Sequence, residues 1–272
     1  MPYFTFLRHD DAHTVEIPLD SDEVMPGIHW GDPCALFTPA YWYTQALMSE
    51  GNGSAPRAHR IGNTFEEEVT ACLLGGYGIP AEVGLAAFKR LRSEGIIRNL
   101  CSDPSAIQKL LREPLEIGER LVQYRFWHQK SEYLANAYSE LEKREFSMHD
   151  PVSLRNQLLR ISGIGPKTAS WIVRNWLDSD EVAILDIHIV RAGLLAKLFS
   201  PSDRVARDYA SMENRFICFA SALSVRTSYL DALIWATMRM TPRLVMRLLH
   251  PTKKTLLRSP SNLPMQVLLP LA

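Results

Sequence analysis

The sequence predicts an all-α protein preceded by a partly irregular segment, and three observations carry that prediction. Between residues 64 and 240, apolar residues recur at helical spacing in segments bounded by cap residues, glycines and prolines. Beyond residue 60 there is no strand–turn–strand signal and no alternation of strands with helices. Residues 1–60 read as short pieces, "YFTFL", "HTVEI", "MPGIHWGDP" and "YWYTQALM", so extended segments or a small strand pair are expected there.

The elements follow in order. "EGNGSAPRAHRIGN" (50–63) is a loop by its Gly, Asn, Ser and Pro content. "NTFEEEVTACLL" opens a helix with Asn63 or Thr64 as N-cap and acids in the first turn, where the helix dipole favours them. "GGYGIP" (75–80) interrupts it, and "AEVGLAAFKRLRSEG" resumes a helix ending at a glycine. "SDPSAIQKLLREP" repeats the order of cap, helix and proline, and a long helix is expected near 119–143. "PVSLRNQLLRI", "KTASWIVRNWL", "DIHIVRAGLLAKLF" and helices over 203–222 and 226–240 complete about ten helices, with no internal repeat. The expected organisation is an N-terminal extension (1–60), a helical domain (61–240) and a basic tail (241–272).

Composition excludes little. At 272 residues the chain can bury one large core or two smaller ones. Its formal net charge is zero, so no global attraction to a polyanion exists. The distribution is uneven: residues 1–30 hold six acids against Arg8 alone, and after Asp231 there is no acid but Arg239, Arg243, Arg247, Lys253, Lys254 and Arg258. Such asymmetry marks either a polyanion-facing end or solvated helix faces. Cys34, Cys72, Cys101 and Cys218 are scattered without a CxxC pair, which argues against zinc, iron–sulfur and redox motifs. No secretory leader or long apolar run is present, so a cytoplasmic location is expected, nucleoid-associated if the source is prokaryotic.

The densest signal is "LLRISGIGPKTASWIVRNWL", two amphipathic helices joined through Gly163 and Gly165. Glycines permit a tight connector and close approach of another surface. Pro166 suits the first helical position, and the bare amides of that helix start form an anion site that a phosphodiester fits. A corner between two helices without a ligand would use the same residues. Lys167 is the oddity, a cation at the helix end where the macrodipole disfavours it.

"GIGPKTASWIVRN" followed by "EVAILDIHIVR" (181–191) resembles the helix-hairpin-helix and Gly/Pro…Asp signature of base-excision DNA glycosylases. Lys167 and Asp186, 19 residues apart, match the catalytic Lys/Asp pair of the bifunctional members. The wording is most similar to archaeal-type 8-oxoguanine DNA glycosylase/lyases, as is "YRFWHQKSEYL" (124–134). The resemblance spans roughly 64–240 and implies a two-lobed helical fold acting on double-stranded DNA with a damaged or modified base. It implies no cofactor for the chemistry and admits a monovalent cation at the hairpin.

The chemistry explains the residue types. The target base is flipped from the duplex. A carboxylate, Asp186, would stabilise the oxocarbenium-like sugar, and the Lys167 amine would bond C1′, forming a Schiff base that permits β-elimination. The attacking amine must be neutral, yet a free lysine with a pKa of about 10.4 is under ~0.1% neutral at pH 7; partial desolvation at a helix start favours the neutral form. Asp186 alone would read as an N-cap, and Lys167 alone as a phosphate contact.

The resemblance further implies backbone contacts from Gly163, Gly165, Thr168, His188 and Arg191, the last two reading equally as buried hydrogen-bonded residues. Trp171, four residues after Lys167, either stacks on an extruded base or belongs to the core. Tyr77 in "GGYG" either fills the gap left by the base or packs as a turn aromatic. Arg125 and Lys130 are expected to line the pocket or phosphate channel.

Relatives read the oxidised purine with their extreme C-terminus, whereas this chain ends "QVLLPLA", without an aromatic or charged side chain. That departure keeps open a glycosylase for another modified purine, serving defence against foreign DNA. A non-catalytic DNA-binding or scaffold protein is the reading from a different class. The N-terminal segment and the tail could also hold a protein partner.

Overall fold

The computed structural model describes residues 2–8, 11–51, 60–76 and 78–250. The protein is 55% helical, with eleven α-helices and only short strands among the described residues. The chain divides into two compact units, residues 1–57 with 185–272, and residues 58–184.

The first unit begins with the expected strand pair. β1 (Tyr3–Arg8) and β2 (Asp11–Glu16) are antiparallel, in register from Tyr3 opposite Glu16 to Arg8 opposite Asp11. Strand alternation turns Phe6 inward and leaves Tyr3 and Leu7 exposed. β3 (Glu23–Met25) and β4 (Ile28–His29) form a second antiparallel pair.

"YWYTQALM", expected to be extended, is instead part of helix α1 (Pro39–Gly51). Thr38 caps it, its Oγ1 accepting from the Tyr41 amide at 3.1 Å, with Pro39 at the first helical position. Trp42 and Ala46, one turn apart, are both buried, and the Trp42 ring stacks on Phe37 at 5.7 Å. The aromatic run favours a strand by local propensity, and packing on the helix period overrides it.

Helices α8 (Ile187–Leu195), α9 (Val205–Ala222), α10 (Thr227–Met240) and α11 (Pro242–Leu249) complete this unit. α10 packs on α1, α8 and α9, and α11 on α8. The stretch from 241 therefore starts as a helix that buries Val245; residues 251–272 of the expected tail lie outside the described residues.

The second unit holds α2 (Phe65–Leu74), α3 (Ala81–Ser93), α4 (Pro104–Arg112), α5 (Trp127–Lys143), α6 (Pro151–Leu158) and α7 (Pro166–Leu177). Side chains of Thr64, Asp103 and Asp150 cap α2, α4 and α6. One apolar core joins all six helices through residues such as Val69, Leu91, Ile107, Leu134, Leu154 and Ile172.

The sequence reading fails at residues 115–122. Where the long helix was expected to begin, β5 (Leu115–Ile117) and β6 (Arg120–Val122) form an antiparallel hairpin about Gly118, whose φ is +59°. Pro114 ends the preceding helix, and the Arg90 guanidinium takes the carbonyls of Leu110, Glu113 and Pro114, committing that backbone to a non-helical path. α5 starts only at Trp127.

Candidate active site and nucleic-acid interface

The connector between α6 and α7 is built from both sides. Ile161 and Ile164 are buried in the core and anchor it. Gly163 has a φ of +86°, and a Cβ there would stand 2.2 Å from Tyr133 Cγ, because the ring of this α5 residue lies on its Cα. One residue earlier, the Ser162 amide donates to Asn136 Oδ1 of α5 at 3.1 Å. α5 therefore shapes the hairpin through packing and through a hydrogen bond.

Gly165 serves differently. It is the N-cap of α7, its φ is −88°, and no side chain caps the helix. A Cβ at Gly165 would meet nothing within 4 Å. Pro166 has no amide hydrogen, and the first helical bond is Ala169 N–H to Gly165 O at 2.9 Å. The amides of Lys167 and Thr168 thus precede the helical ladder beside an open glycine, an arrangement suited to an anion. Both residues are half-buried.

Lys130 is the predicted residue that the structure brings to Lys167. It is half-buried on α5, with Nζ 6.0 Å from the centre of the Tyr133 ring. Burial, and then the Lys167 charge, hold its pKa below the ordinary lysine value. Arg125 is exposed, with its guanidinium over the Phe126 ring at 5.2 Å. Trp171 is half-buried and packs against the core, and the far edge of its indole bears on Gly75. Tyr77 lies outside the described residues.

Asp186 belongs to the other compact unit. It is half-buried and caps α8, its Oδ1 accepting from the amides of His188 at 2.8 Å and Ile189 at 3.0 Å. That leaves Oδ2 free of the capping role. His188 and Arg191 are half-buried on α8. His188 stands edge-on to Trp235 of α10 at 6.3 Å, and the Arg239 guanidinium lies 5.0 Å from the Trp235 ring centre. Trp235 is 38% exposed, a cation-backed aromatic surface on the Asp186 unit that sequence reasoning did not single out. Its spacing from Arg239, one helical turn, is the signal that was present.

A buried carboxylate, also unanticipated, braces α7, the helix that carries Lys167. Glu68 of α2 is fully buried, its Oε2 accepting from the amides of Ile61 (2.7 Å) and Gly62 (2.9 Å) and its Oε1 from Asn175 Nδ2 of α7 (2.6 Å). Beside it, burial first and then Glu68 push the Cys72 thiol well above its ordinary pKa. Arg60 extends the brace, lying over the Trp176 ring at 4.1 Å and donating through Nε to the Trp176 carbonyl at 3.0 Å.

A compact helical body carrying a glycine hairpin that opens onto a bare helix start, with a lysine one residue further, defines a helix-hairpin-helix protein. The family described as 8-oxoguanine DNA glycosylase, of this hairpin type, matches residues 58–225, and the chain belongs to it. Among relatives, the 8-oxoguanine DNA glycosylase/AP lyase of Saccharolobus solfataricus is 32% identical over 123 residues, covering 41% of this chain and 58% of that protein. The protein of the same name from Metallosphaera sedula is 35% identical over 122 residues, covering 41% and 57%. The chain thus spans less than two thirds of the length of these curated relatives. In fold it is similar to the 8-oxoguanine DNA glycosylase of Thermotoga maritima, with a TM-score of 0.51 at 24% identity over 64% of this chain and 79% of that one.

Proposed function

We propose that this protein is a bifunctional DNA glycosylase/AP lyase that removes an oxidised purine, 8-oxoguanine, from duplex DNA in base excision repair. The observation that carries the reading is the position of Lys167, one residue past Pro166 at the uncapped start of α7, inside the region matched to the family. The open approach at Gly165 and the amides of Lys167 and Thr168 would hold a backbone phosphate without reading sequence. His188 and Arg191, at the start of α8, would take further phosphates.

In the reaction the neutral Lys167 amine attacks C1′ as the C1′–N bond breaks and the base leaves with the bonding pair. The Asp186 carboxylate offsets the positive charge that develops on the sugar. Loss of the amine proton and ring opening give an imine; removal of a C2′ proton then expels the 3′ phosphate by β-elimination, and water releases Lys167 from the imine. This reading assigns the nucleophile and the stabilising carboxylate to Lys167 and Asp186, the final hydrolysis to water, and no cofactor to the chemistry.

Borohydride trapping tests the reading. Wild type should form a covalent adduct on a duplex containing 8-oxoguanine, and Lys167→Gln should form none while remaining folded. An adduct that survives the substitution sinks the lysine assignment. An adduct on an abasic duplex but none on 8-oxoguanine keeps the lyase chemistry and rejects the base.

A further inference from the structure

After Asp231 the sequence holds no acid, and Arg239, Arg243 and Arg247 follow at intervals of four on α10 and α11. All three are exposed, and among the described residues none of them pairs with a carboxylate. Exposed arginines elsewhere in the protein are paired. Arg92 meets Glu67 at 3.0 Å, Arg207 meets Asp208 at 2.7 Å, and Arg144 meets Glu140 one turn before it. A merely solvated helix face interleaves both signs of charge, whereas this one carries a single sign.

The helix dipole accounts for two of the three. Arg239 stands in the last turn of α10 and Arg247 in the last turn of α11, where a cation is welcome. Arg243 has no such reason. It follows Pro242 in the first turn of α11, the end that disfavours positive charge, and that turn holds no acid. It also lies one turn from Arg247, a like-charge spacing that weakens an isolated helix. Val245 is buried in the core, so Arg243 and Arg247, two residues to either side, point to the opposite, solvent side of α11.

The row stands on a packed base within one compact unit. Both α10 and α11 pack on α8, the helix that carries His188 and Arg191. Arg239 joins that surface through one ring, since Trp235 has His188 edge-on at 6.3 Å and the Arg239 guanidinium at 5.0 Å.

We infer that Arg239, Arg243 and Arg247 form a second grip on duplex DNA, each taking a backbone phosphate, apart from the phosphate site at the α6–α7 hairpin. The three lie past residue 225, where the match to the family ends. A guanidinium offers two parallel N–H bonds to phosphate oxygens, and such contacts hold a duplex without reading its sequence or its damage. The choice of duplex DNA over another polyanion rests on the glycosylase/lyase reading above.

Fluorescence anisotropy on a short undamaged duplex, repeated from about 50 to 200 mM salt, tests the grip. The full chain with Arg239, Arg243 and Arg247 all replaced by Gln should lose about 2 to 3 from the slope of log K against log salt. All three replaced by Lys, which keeps the charge, should retain the slope. Arg243→Gln alone should lose about 1 from the slope while its melting temperature holds or rises. Replacing Lys89, Arg98 and Lys109 by Gln, three exposed cations of the other unit, should leave the slope nearly unchanged. An unchanged slope in the folded triple variant overturns the grip. An equal fall in the Lys89, Arg98 and Lys109 variant also overturns it, because net charge alone would then be at work. So does a fall in Arg243→Gln that comes only with a matching loss of thermal stability. An unchanged slope joined to loss of salt-sensitive self-association in sedimentation would assign the row to a second copy, whose residues 1–30 hold six acids. The glycosylase/lyase reading is scored separately, by the borohydride adduct on an abasic duplex. A wild type with an arginine-dependent slope but no adduct overturns that reading and leaves the grip standing.

Discussion

The ring of Tyr133 rests on the Cα of Gly163, while two residues later Gly165 faces open space. The two hairpin glycines therefore exist for different reasons, and substitution should separate them. Gly163→Ala forces an L-residue to a φ of +86° and drives its methyl into the ring, so a loss of about 2–4 kcal/mol is expected in urea unfolding. Gly165→Ala has both room and an ordinary φ, and should cost about 1 kcal/mol or less. Its methyl would nevertheless obstruct a phosphate, so duplex affinity should fall and log K should depend less steeply on salt. Equal stability losses in the two variants would refute this division.

Asp186 caps α8, and under the proposed function it would also stabilise charge on the sugar, two duties that asparagine can part. Asn caps helices about as well as Asp, so Asp186→Asn should keep the bonds to the His188 and Ile189 amides and leave the melting temperature nearly unchanged. Base excision should fall by about 10²-fold or more, as when a charge that stabilises a transition state is removed. Asp186→Ala should lose activity and also about 1 kcal/mol of stability. Single-turnover excision measured beside thermal unfolding tells the cap from the catalyst.

Lys130 makes stability depend on alkaline pH. Its folded-state pKa lies below the ordinary 10.5, through burial first and the Lys167 charge second. The folded state then binds this proton less well than the unfolded chain. The resulting cost is full at neutral pH and fades as pH rises through the folded value towards 10.5. Lys130→Met should therefore be more stable than wild type near pH 7, with an advantage that shrinks towards pH 10. Paired denaturation curves at the two pH values would show whether the gap closes.

Glu68 accepts from four donors: the Ile61 and Gly62 amides, Asn175 Nδ2 and Cys72 Sγ. Glu68→Leu strands the Ile61 and Gly62 amides and the Asn175 side chain, and should cost about 3 kcal/mol or more. In the native protein, Cys72 beside it should resist maleimide labelling while exposed Cys34 and Cys218 react. Labelling of Cys72 at the same rate as the exposed thiols would contradict its burial.

Much of this arrangement was legible in the sequence, because local rules and tertiary packing agree there. Thr64, Asp103 and Asp150 stand where caps are expected, and Pro104, Pro151 and Pro166 open their helices. The helix bounds at 205–222 and 227–240 fall within two residues of expectation. The failures have physical causes. α1 is rich in aromatic residues that locally favour strands, and only the burial of Trp42 and Ala46 on one face makes it helical. The 115–122 hairpin has three-residue arms, too short for a period to register, and depends on Arg90, more than twenty residues upstream. At the proposed site, Lys167 and Asp186 were singled out by the resemblance of their motifs and the 19 residues between them. The support from Tyr133, Asn136 and Glu68 could not be read from the sequence, since each acts on a residue at least six positions away whose nearness is created by folding.

The split of the first compact unit between residues 1–57 and 185–272 has a consequence for synthesis. The Tyr229 hydroxyl bonds the Ala46 carbonyl across a separation of 183 residues. At about 5–20 residues per second, a ribosome makes Tyr229 roughly ten to forty seconds after Ala46. The middle unit is complete in the nascent chain before its predecessor has found its other half. α1, with Trp42 and Phe37, must spend that interval without α10, and a chaperone acting on this protein would find its substrate there.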